Sequence, residues 1–268
     1  MTSLDITMVQ TAPQWESIEE NLLHFTSLLA GCPKTDVVVL PEMFTTGFSM
    51  RSGALAQSME GSAIAWMADT AGRLDAHMCG SLIIESDGAY WNRLLWMSPS
   101  GDYRTYDKRH LFRMSNEHDH YSAGNERLSV TLNGFTICPL ICYDLRFPVW
   151  SRNGGSLGTD VRGTTESDYD LIIYVANWPK ARSEHWRTLL RARSIENLCY
   201  TVGVNRIGTD GNNIAYQGDS MTVDFRGEIL TPLNSKESIV TVSIDLDLLA
   251  KYRSGFPAYL DADRFKLM

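Results

Sequence analysis

An apolar strand runs directly into a cysteine at residues 135–144, Phe-Thr-Ile-Cys-Pro-Leu-Ile-Cys-Tyr-Asp. The apolar segment Phe135–Ile141 is short enough to predict a buried strand. Cys142 follows this strand without a break. A single cysteine in this position is usually a small buried hydrophobic residue, so it indicates catalysis only when it has suitable partners.

Strand and helix signals alternate along the rest of the chain. Further strands are predicted at Leu4–Val9, Val37–Leu40, His77–Glu85, Tyr90–Met97, Tyr103–Tyr106, Leu171–Ala176, Tyr200–Val204, Ser220–Asp224 and Ile239–Ile244. Helices are predicted at Asn21–Ala30, after a capping-box pattern at residues 17–20, and at Ser62–Arg73, Ser183–Leu198 and Leu246–Tyr252. No repeat or linker divides the chain, so we predict one α/β domain over residues 1–268.

The composition is that of an ordinary globular protein. The 268 residues are enough for one large domain, and the hydrophobic and charged fractions of 44% and 21% are typical. The formal net charge of −8 provides no basic surface, so we expect neither nucleic acid nor an anionic membrane as a partner.

The N-terminal sequence and the cysteines indicate a compartment. The first residues lack the basic start and apolar run of a signal peptide, and no window approaches the roughly 18 apolar residues of a membrane span. Five cysteines are spread widely without a CxxC pair, which favours free thiols in a reducing compartment. We therefore predict a cytoplasmic protein. His118 and His120 have no second ligand pair nearby in the sequence, so we predict no metal and no cofactor.

Two other polar residues follow predicted strands as Cys142 does. Glu42 follows Val37–Leu40, and Lys108 follows Tyr103–Tyr106. In layered α/β proteins, active sites gather outside the carboxyl ends of strands. A carboxylate can take the proton of a nucleophilic thiol, and an ammonium can stabilise the oxyanion that forms. Each residue is also compatible with an ordinary loop position, and the spacing alone does not establish that the three converge.

Three segments carry a family resemblance. Val-Val-Leu-Pro-Glu-Met-Phe (38–44), Tyr-Asp-Lys-Arg-His-Leu-Phe (106–112) and Ile-Cys-Tyr-Asp-Leu-Arg-Phe-Pro (141–148) resemble the signature blocks of the nitrilase superfamily of carbon-nitrogen hydrolases. They occur in the family's order, and three blocks in order are highly specific. The likeness continues through Glu117, Gly124 and residues 176–179, 185–197 and 218–220.

The resemblance implies a fold and a set of roles. It implies a four-layer α-β-β-α sandwich that forms a homodimer or a larger homo-oligomer. Cys142 would attack an amide carbon, while Glu42 would take the thiol proton, pass it to departing ammonia and later activate water. Lys108 and the backbone N–H of Tyr143 would hold the oxyanion. Glu117 would be a further catalytic residue that orients Lys108 and shares in proton transfer. We also expect the neighbouring lysine to favour the thiolate form of the cysteine.

The segments Arg-Phe-Pro (146–148) and Asn-Trp-Pro (177–179) look most like the omega-amidase branch. Enzymes of this branch hydrolyse the terminal amide of 2-oxoglutaramate or 2-oxosuccinamate through a cysteine thioester. Because such substrates carry a carboxylate, the pocket should contain a cation. Arg182 is the preferred substrate-binding residue, while Arg146 is at least as compatible with a structural role. Further pocket-wall candidates are aromatic, namely Phe44, Tyr121 and Trp178, although aromatic residues beside strand ends more often serve packing.

Several alternatives remain open at this stage. Hydrolysis of nitriles or of N-carbamoyl compounds would use the same three catalytic residues. A different class of protein, a non-catalytic scaffold with the same fold, is the less favoured alternative. The loop Asn153–Asp168 is longer than is usual in the omega-amidase branch. It could cover the site, contact another subunit or be inert, because long surface insertions cost little stability.

Overall fold

The structure, a computed structural model, describes residues 2–153 and 168–263. Its strands are β1 (Ser3–Gln10), β2 (Val37–Val39), β3 (His77–Ser86), β4 (Ala89–Met97), β5 (Tyr103–Asp107), β6 (Val130–Leu132), β7 (Phe135–Ile141), β8 (Leu171–Ala176), β9 (Tyr200–Asn205), β10 (Ile207–Thr209), β11 (Ala215–Gln217), β12 (Met221–Val223) and β13 (Ser238–Asp245). Its α-helices are α1 (Ile18–Leu29), α2 (Ser52–Leu55), α3 (Ser62–Leu74), α4 (Glu117–His120), α5 (Ser183–Asn197) and α6 (Leu246–Gly255). Short 3₁₀ helices cover Arg113–Ser115, Cys142–Arg146, Lys180–Arg182 and Ala258–Asp261.

Two mixed sheets form the centre of the described chain. The first has the strand order β13-β1-β2-β3-β4-β5, and the second has the order β12-β9-β8-β7-β6. The central strands β1, β2 and β3 are parallel, as are β7, β8 and β9, and the remaining neighbours in each sheet are antiparallel. Every residue of β8 is buried, as expected for a parallel strand that is covered on both faces.

The two sheets pack face to face. One hydrophobic cluster contains Ile6 and Val39 of the first sheet together with Ile137 of the second. The hydroxyl of Thr222 in β12 donates to the sulfur of Met8 in β1 at 3.6 Å, which is a direct contact between the sheets. The buried apolar surface between the sheets is therefore the main core.

Helices cover the outer faces of both sheets. Phe25 of α1 and Met67 of α3 pack with Leu95 of β4 in a second hydrophobic cluster. On the other side, α5 approaches β9 closely, and a Cβ atom at Gly203 would lie 2.7 Å from the Trp186 ring. The missing side chain at this position lets the helix and the strand meet. The layers are thus α-β-β-α, as the family resemblance predicted.

Most predicted elements are observed, with differences at their ends. The first helix begins at Ile18 rather than Asn21, and Ser17 makes no side-chain capping bond, so the capping-box prediction was wrong. Asn21 instead joins the first turn to two loops, because its amide donates to the backbone oxygens of Gln14 and Thr45. The short elements β6, β10, β11, α2 and α4 were not predicted. Apart from its two end residues, the loop Asn153–Asp168 lies outside the described residues.

The loops after β2 and β8 meet at one edge of the packed sheets. The backbone N–H of Asn177, after β8, donates to Glu42 Oε2 at 2.9 Å. The Asn177 side-chain amide donates to the backbone oxygen of Glu42 at 2.7 Å. Since Glu42 follows a strand of the first sheet, these bonds tie the two sheets together where the catalytic candidates lie.

Gly124 is required by a close approach of two backbone segments. Its N–H donates to the Lys108 carbonyl at 2.9 Å, and a Cβ atom at position 124 would lie 2.2 Å from the Asp107 carbonyl oxygen. Gly124→Ala should therefore lower the free energy of unfolding by about 1–3 kcal/mol, measured by urea denaturation. Gly31→Ala is the matched control, because nothing lies within 4 Å of a Cβ atom there. Equal stability of the two variants would contradict this prediction.

Candidate active site

Glu42 is completely buried and held by donors from three segments. Its Oε1 accepts from Lys108 Nζ and from Asn92 Nδ2, both at 2.8 Å. Its Oε2 accepts from the backbone N–H of Asn177. The Cys142 thiol is also within hydrogen-bonding reach of this carboxylate. Glu42 is therefore placed to act as a base toward the thiol, with its orientation fixed by its other partners.

Lys108 lies between two buried carboxylates. Its Nζ is 2.8 Å from Glu42 Oε1 and 2.9 Å from Glu117 Oε1. The ammonium also lies 5.0 Å from the centre of the Phe48 ring. Asn92 bridges the two carboxylates, since its amide donates to Glu117 Oε1 as well as to Glu42. These contacts supply the pairing that a buried cation requires.

Burial and the two carboxylates set the charges of this cluster. Burial alone lowers the pKa of the Lys108 ammonium, but the charges of Glu117 and Glu42 outweigh it and the net pKa is raised. Lys108 is therefore protonated at neutral pH. Burial raises the pKa of Glu117, although the lysine opposes this change. The site thus keeps a permanent positive charge beside the thiol.

Cys142 lies on a tight turn directly after β7. Its φ of 41° is in the left-handed region, which is uncommon for a residue other than glycine. The turn continues as the 3₁₀ helix Cys142–Arg146. Tyr143 is the second residue of this helix, where backbone N–H groups have no partner within the helix. The backbone conformation is consistent with strain retained at a functional position.

Asp144 joins the nucleophile turn to the segment that carries Lys108. Its buried carboxylate accepts from the backbone N–H of Ile141 at 3.1 Å and from the Tyr106 hydroxyl at 2.7 Å. It also accepts from the backbone N–H of His110 at 3.0 Å, and the His110 ring nitrogen lies 2.8 Å away. A carboxylate with this many donors holds two chain segments in a fixed relation.

The pKa of Cys142 corrects one expectation. Burial and the negative charge of Glu42 raise the pKa of the thiol well above its usual range, and the opposing effect of Lys108 is smaller. The charge of Lys108 lowers the pKa of the thiol by less than burial and Glu42 raise it. In the resting site the sulfur therefore carries its proton, and attack requires a base.

A cavity opens beside these residues. Glu42, Lys108 and Cys142 line it together with aromatic side chains, namely Phe48, Phe112, Tyr143, Trp178 and Tyr216. Arg146 and Arg182 also line the cavity and are partly exposed. Arg146 stacks on Trp178, with its Cζ atom 4.9 Å from the ring centre, and Arg182 lies 5.5 Å from the centre of the Phe112 ring.

Two predicted pocket residues lie elsewhere. Phe44 is fully buried among Phe25 and Trp66, on the outer face of the first sheet. Met43 adopts a φ of 44°, so the chain turns directly after Glu42 and carries the next side chain away from the cavity. Tyr121 donates its hydroxyl to the Ser49 backbone oxygen and does not line the cavity.

The other predicted residues lie in or behind the cavity. Trp178, Arg146 and Arg182 line it, as do the three catalytic candidates and Tyr143. Glu117 does not line it and contacts it through Lys108. Asn92, Asn177 and Asp144 were given no role from the sequence. Asn177 and Asp144 lie inside blocks of the family resemblance, whereas Asn92 lies in a strand without any distinguishing pattern.

Within residues 2–153 and 168–263, no group of three or more His, Cys, Asp or Glu side chains is placed to bind a metal ion. No helix in these ranges is both long and apolar enough to cross a membrane.

The comparisons with known proteins establish the family. The sequence model of the carbon-nitrogen hydrolase family matches residues 5–254, and the chain belongs to this family. The chain is 44% identical to Omega-amidase YafV from Escherichia coli (strain K12), over 100% of both sequences. It is 34% identical to 2-oxoglutaramate amidase from Bacillus subtilis (strain 168), with 84% of each sequence covered.

A solved structure is similar over its whole length. It is a CN-hydrolase superfamily protein from Xanthomonas campestris with an arsenic adduct in its active site. The two structures superpose with a TM-score of 0.95 at 45% sequence identity, and the match covers 100% of both chains. The chain therefore has the fold of this superfamily and is a carbon-nitrogen hydrolase.

The raised pKa of Cys142 can be tested by titration. Because a thiol with a raised pKa loses its proton only at higher pH, Cys142 should contribute no thiolate absorbance up to its usual pKa of 9.0. The measurement is the ultraviolet thiolate absorbance of the intact chain minus that of Cys142→Ala, followed against pH. The subtraction removes the other four cysteines. A difference signal with a midpoint below 9.0 would show that the lysine dominates.

Proposed function

We propose that this chain is an omega-amidase, which hydrolyses the terminal amide of 2-oxoglutaramate or 2-oxosuccinamate to the 2-oxo dicarboxylate and ammonia. The supporting observation is a single cavity lined by the cysteine, carboxylate and lysine of a hydrolase and by two arginines. The names of the relatives from Escherichia coli and Bacillus subtilis describe the same chemistry.

The two arginines are available to a substrate carboxylate. Among the described residues, neither Arg146 nor Arg182 forms an ion pair with Asp or Glu. The guanidinium of Arg182 lies over the Phe112 ring, and its N–H donors have no hydrogen-bond partner among residues 2–153 and 168–263. A guanidinium can bind a carboxylate through two parallel hydrogen bonds. A substrate with an amide at one end and a carboxylate at the other would therefore place its amide beside Cys142 and its carboxylate beside the two arginines.

A third arginine adds positive potential behind the cavity wall. Arg206 is 1% exposed, and its Nη1 has no hydrogen-bond partner in the described part of the chain. Its Cζ lies 4.7 Å from the ring centre of Tyr216, which lines the cavity. Asp210, which accepts from the Tyr216 hydroxyl at 2.8 Å, offsets part of this charge. The contribution of Arg206 to binding an anionic amide is therefore secondary to that of Arg146 and Arg182.

In the first half of the proposed reaction, Glu42 takes the thiol proton while the Cys142 sulfur attacks the amide carbon. The carbonyl oxygen becomes an oxyanion, which Lys108 Nζ and the Tyr143 backbone N–H stabilise. Glu42 then gives the proton to the amide nitrogen, the carbon–nitrogen bond breaks and ammonia leaves. The products of this half are ammonia and a thioester on Cys142.

In the second half, water replaces ammonia in the site. Glu42 takes a proton from the water as its oxygen attacks the thioester carbon, and the same donors hold the new oxyanion. The carbon–sulfur bond then breaks, the acid is released and the proton returns to Cys142. Asn177 keeps Glu42 in place through both halves, because it bonds to the carboxylate and to the backbone of the same residue.

We also propose that the chain forms a homodimer or a larger homo-oligomer in the cytoplasm. Support for assembly comes from exposed apolar side chains near the C-terminal end of the described chain, where Leu248, Phe256 and Leu260 are 56%, 55% and 58% exposed. Large apolar surfaces often mark protein contacts. Support for the compartment comes from the free state of all five cysteines.

The proposed function is tested by ammonia release from 2-oxoglutaramate. The intact chain should release ammonia, and Cys142→Ala should reduce kcat by at least about a thousandfold because the nucleophile is missing. Arg182→Ala should raise KM by about 10- to 100-fold, since a charged hydrogen-bond partner of the substrate is lost. Steady-state kinetics on the three proteins provide these values.

The possible failures have distinct meanings. An intact chain that releases no ammonia from 2-oxoglutaramate or 2-oxosuccinamate would refute the proposed substrate and leave the family unchanged. Release of carbon dioxide together with ammonia from an N-carbamoyl amino acid would favour the carbamoyl hydrolases instead. Undiminished release by Cys142→Ala would refute the thioester mechanism. An unchanged KM in Arg182→Ala would remove that residue from the substrate site.

A further inference from the structure

We infer that His185 is a positioning residue that holds Arg146 in the orientation needed to bind the substrate carboxylate. This contact would set the preference of the site for anionic over neutral amides. The inference rests on the proposed function, because it assigns the residue that prepares one of the two arginines for an acidic substrate.

Arg146 is connected to the nucleophile by a short rigid segment. It is the last residue of the 3₁₀ helix Cys142–Arg146, so its backbone position is fixed relative to the sulfur. Its guanidinium stacks on Trp178, and both side chains line the cavity. A cation on the nucleophile turn can therefore hold the far end of a short substrate while the near end reaches Cys142.

The hydrogen bond to His185 fixes the remaining freedom of this guanidinium. Arg146 Nη2 lies 2.9 Å from His185 Nδ1. Arginine is always charged and has only donors, so the bond requires a neutral imidazole that accepts at Nδ1 and carries its proton on Nε2. The guanidinium is therefore held by two contacts, the Trp178 ring on its face and the His185 nitrogen at Nη2. The other N–H groups of Arg146 have no partner among the described side chains and remain available for a carboxylate.

Helix α5 supports the nucleophile turn at two adjacent residues. Arg193 Nη2 donates to the Leu145 carbonyl at 2.6 Å, and His185 accepts from Arg146. Arg193 is 3% exposed, whereas His185 is exposed at the start of the helix. The buried contact serves the fold, while the exposed contact at the cavity adds little to stability. His185 can therefore be changed without unfolding the chain.

A preoriented arginine should improve binding rather than chemistry. Ordering a flexible side chain during binding costs free energy that is saved when the side chain is already held. Arg182 lacks such an anchor, because its guanidinium lies over the Phe112 ring and forms no hydrogen bond with another described residue. Loss of the His185 acceptor should therefore weaken binding of acidic amides and leave the rate of bond cleavage unchanged.

The test compares succinamate with butyramide, which has a similar length but no carboxylate. His185→Leu should raise KM for succinamate by about 3- to 10-fold without a change in kcat, and KM for butyramide should not change. His185→Gln should restore most of the loss, because its side-chain oxygen can accept from Arg146. Thr188→Val is the matched control on the same helix, since its hydroxyl contacts only Glu184 at the surface.

A double-mutant cycle shows whether His185 acts through Arg146. Arg146→Ala should raise KM for succinamate, and His185→Leu in that background should add nothing further. An equal effect of His185→Leu in both backgrounds would overturn the inference, as would an unchanged KM in the single variant. The dissociation constant of succinamate, measured by calorimetry in the Cys142→Ala background, gives the same comparison without turnover.

These outcomes separate the inference from the proposed function. If 2-oxoglutaramate is not hydrolysed but succinamate binding depends on His185 through Arg146, the proposed function fails and the inference stands. If 2-oxoglutaramate is hydrolysed and the variants bind succinamate as the intact chain does, the inference fails alone. If the intact chain shows no preference for succinamate over butyramide, the inference fails, while the proposed function is still decided by ammonia release from 2-oxoglutaramate.

Discussion

The active site depends on one buried ion cluster, in which Lys108 lies between Glu42 and Glu117. A lysine and two carboxylates removed from water are costly unless each is paired and hydrogen bonded. Asn92, Asn177 and the backbone provide the remaining partners. The fold must therefore bring several distant segments together with little freedom, and the same contacts keep the base and the cation beside the thiol.

The surrounding structure satisfies this constraint by joining the two sheets at one edge. Asn177 connects the loop after β8 to Glu42 after β2, and Asp144 connects the nucleophile turn to the segment after β5. Burial of the sulfur and the charge of Glu42 raise the pKa of the thiol by more than Lys108 lowers it, so the thiol is protonated at rest. A base that takes the thiol proton is then part of the proposed mechanism, and we assign this role to the fully buried Glu42.

The sequence predicted the long elements well, and the structure shows why other features were missed. Phe135–Ile141 and Leu171–Ala176 are strands with the predicted bounds. Their continuous apolar runs are typical of strands in a sheet that is covered on both faces. The three-residue strands β6, β10 and β11 form by pairing with the next or the preceding strand, and they are too short to show an alternating hydrophobic pattern in the sequence. Phe44 packs in the core and does not line the cavity, because the turn at Met43 redirects the chain. The buried role of Asn92 depends on its contact with Glu42, which its position within one strand does not reveal.

In the proposed mechanism Cys142 carries the acyl group as a thioester, while Glu42 transfers the proton and Lys108 stabilises the oxyanion. The most direct test mixes the intact chain with 2-oxoglutaramate, stops the reaction with acid within the first turnover and measures peptide masses. The account predicts an adduct on the peptide containing Cys142, with the mass of the substrate less ammonia. A first-turnover burst of ammonia with Cys142 unmodified, or with the adduct on another residue, would contradict it.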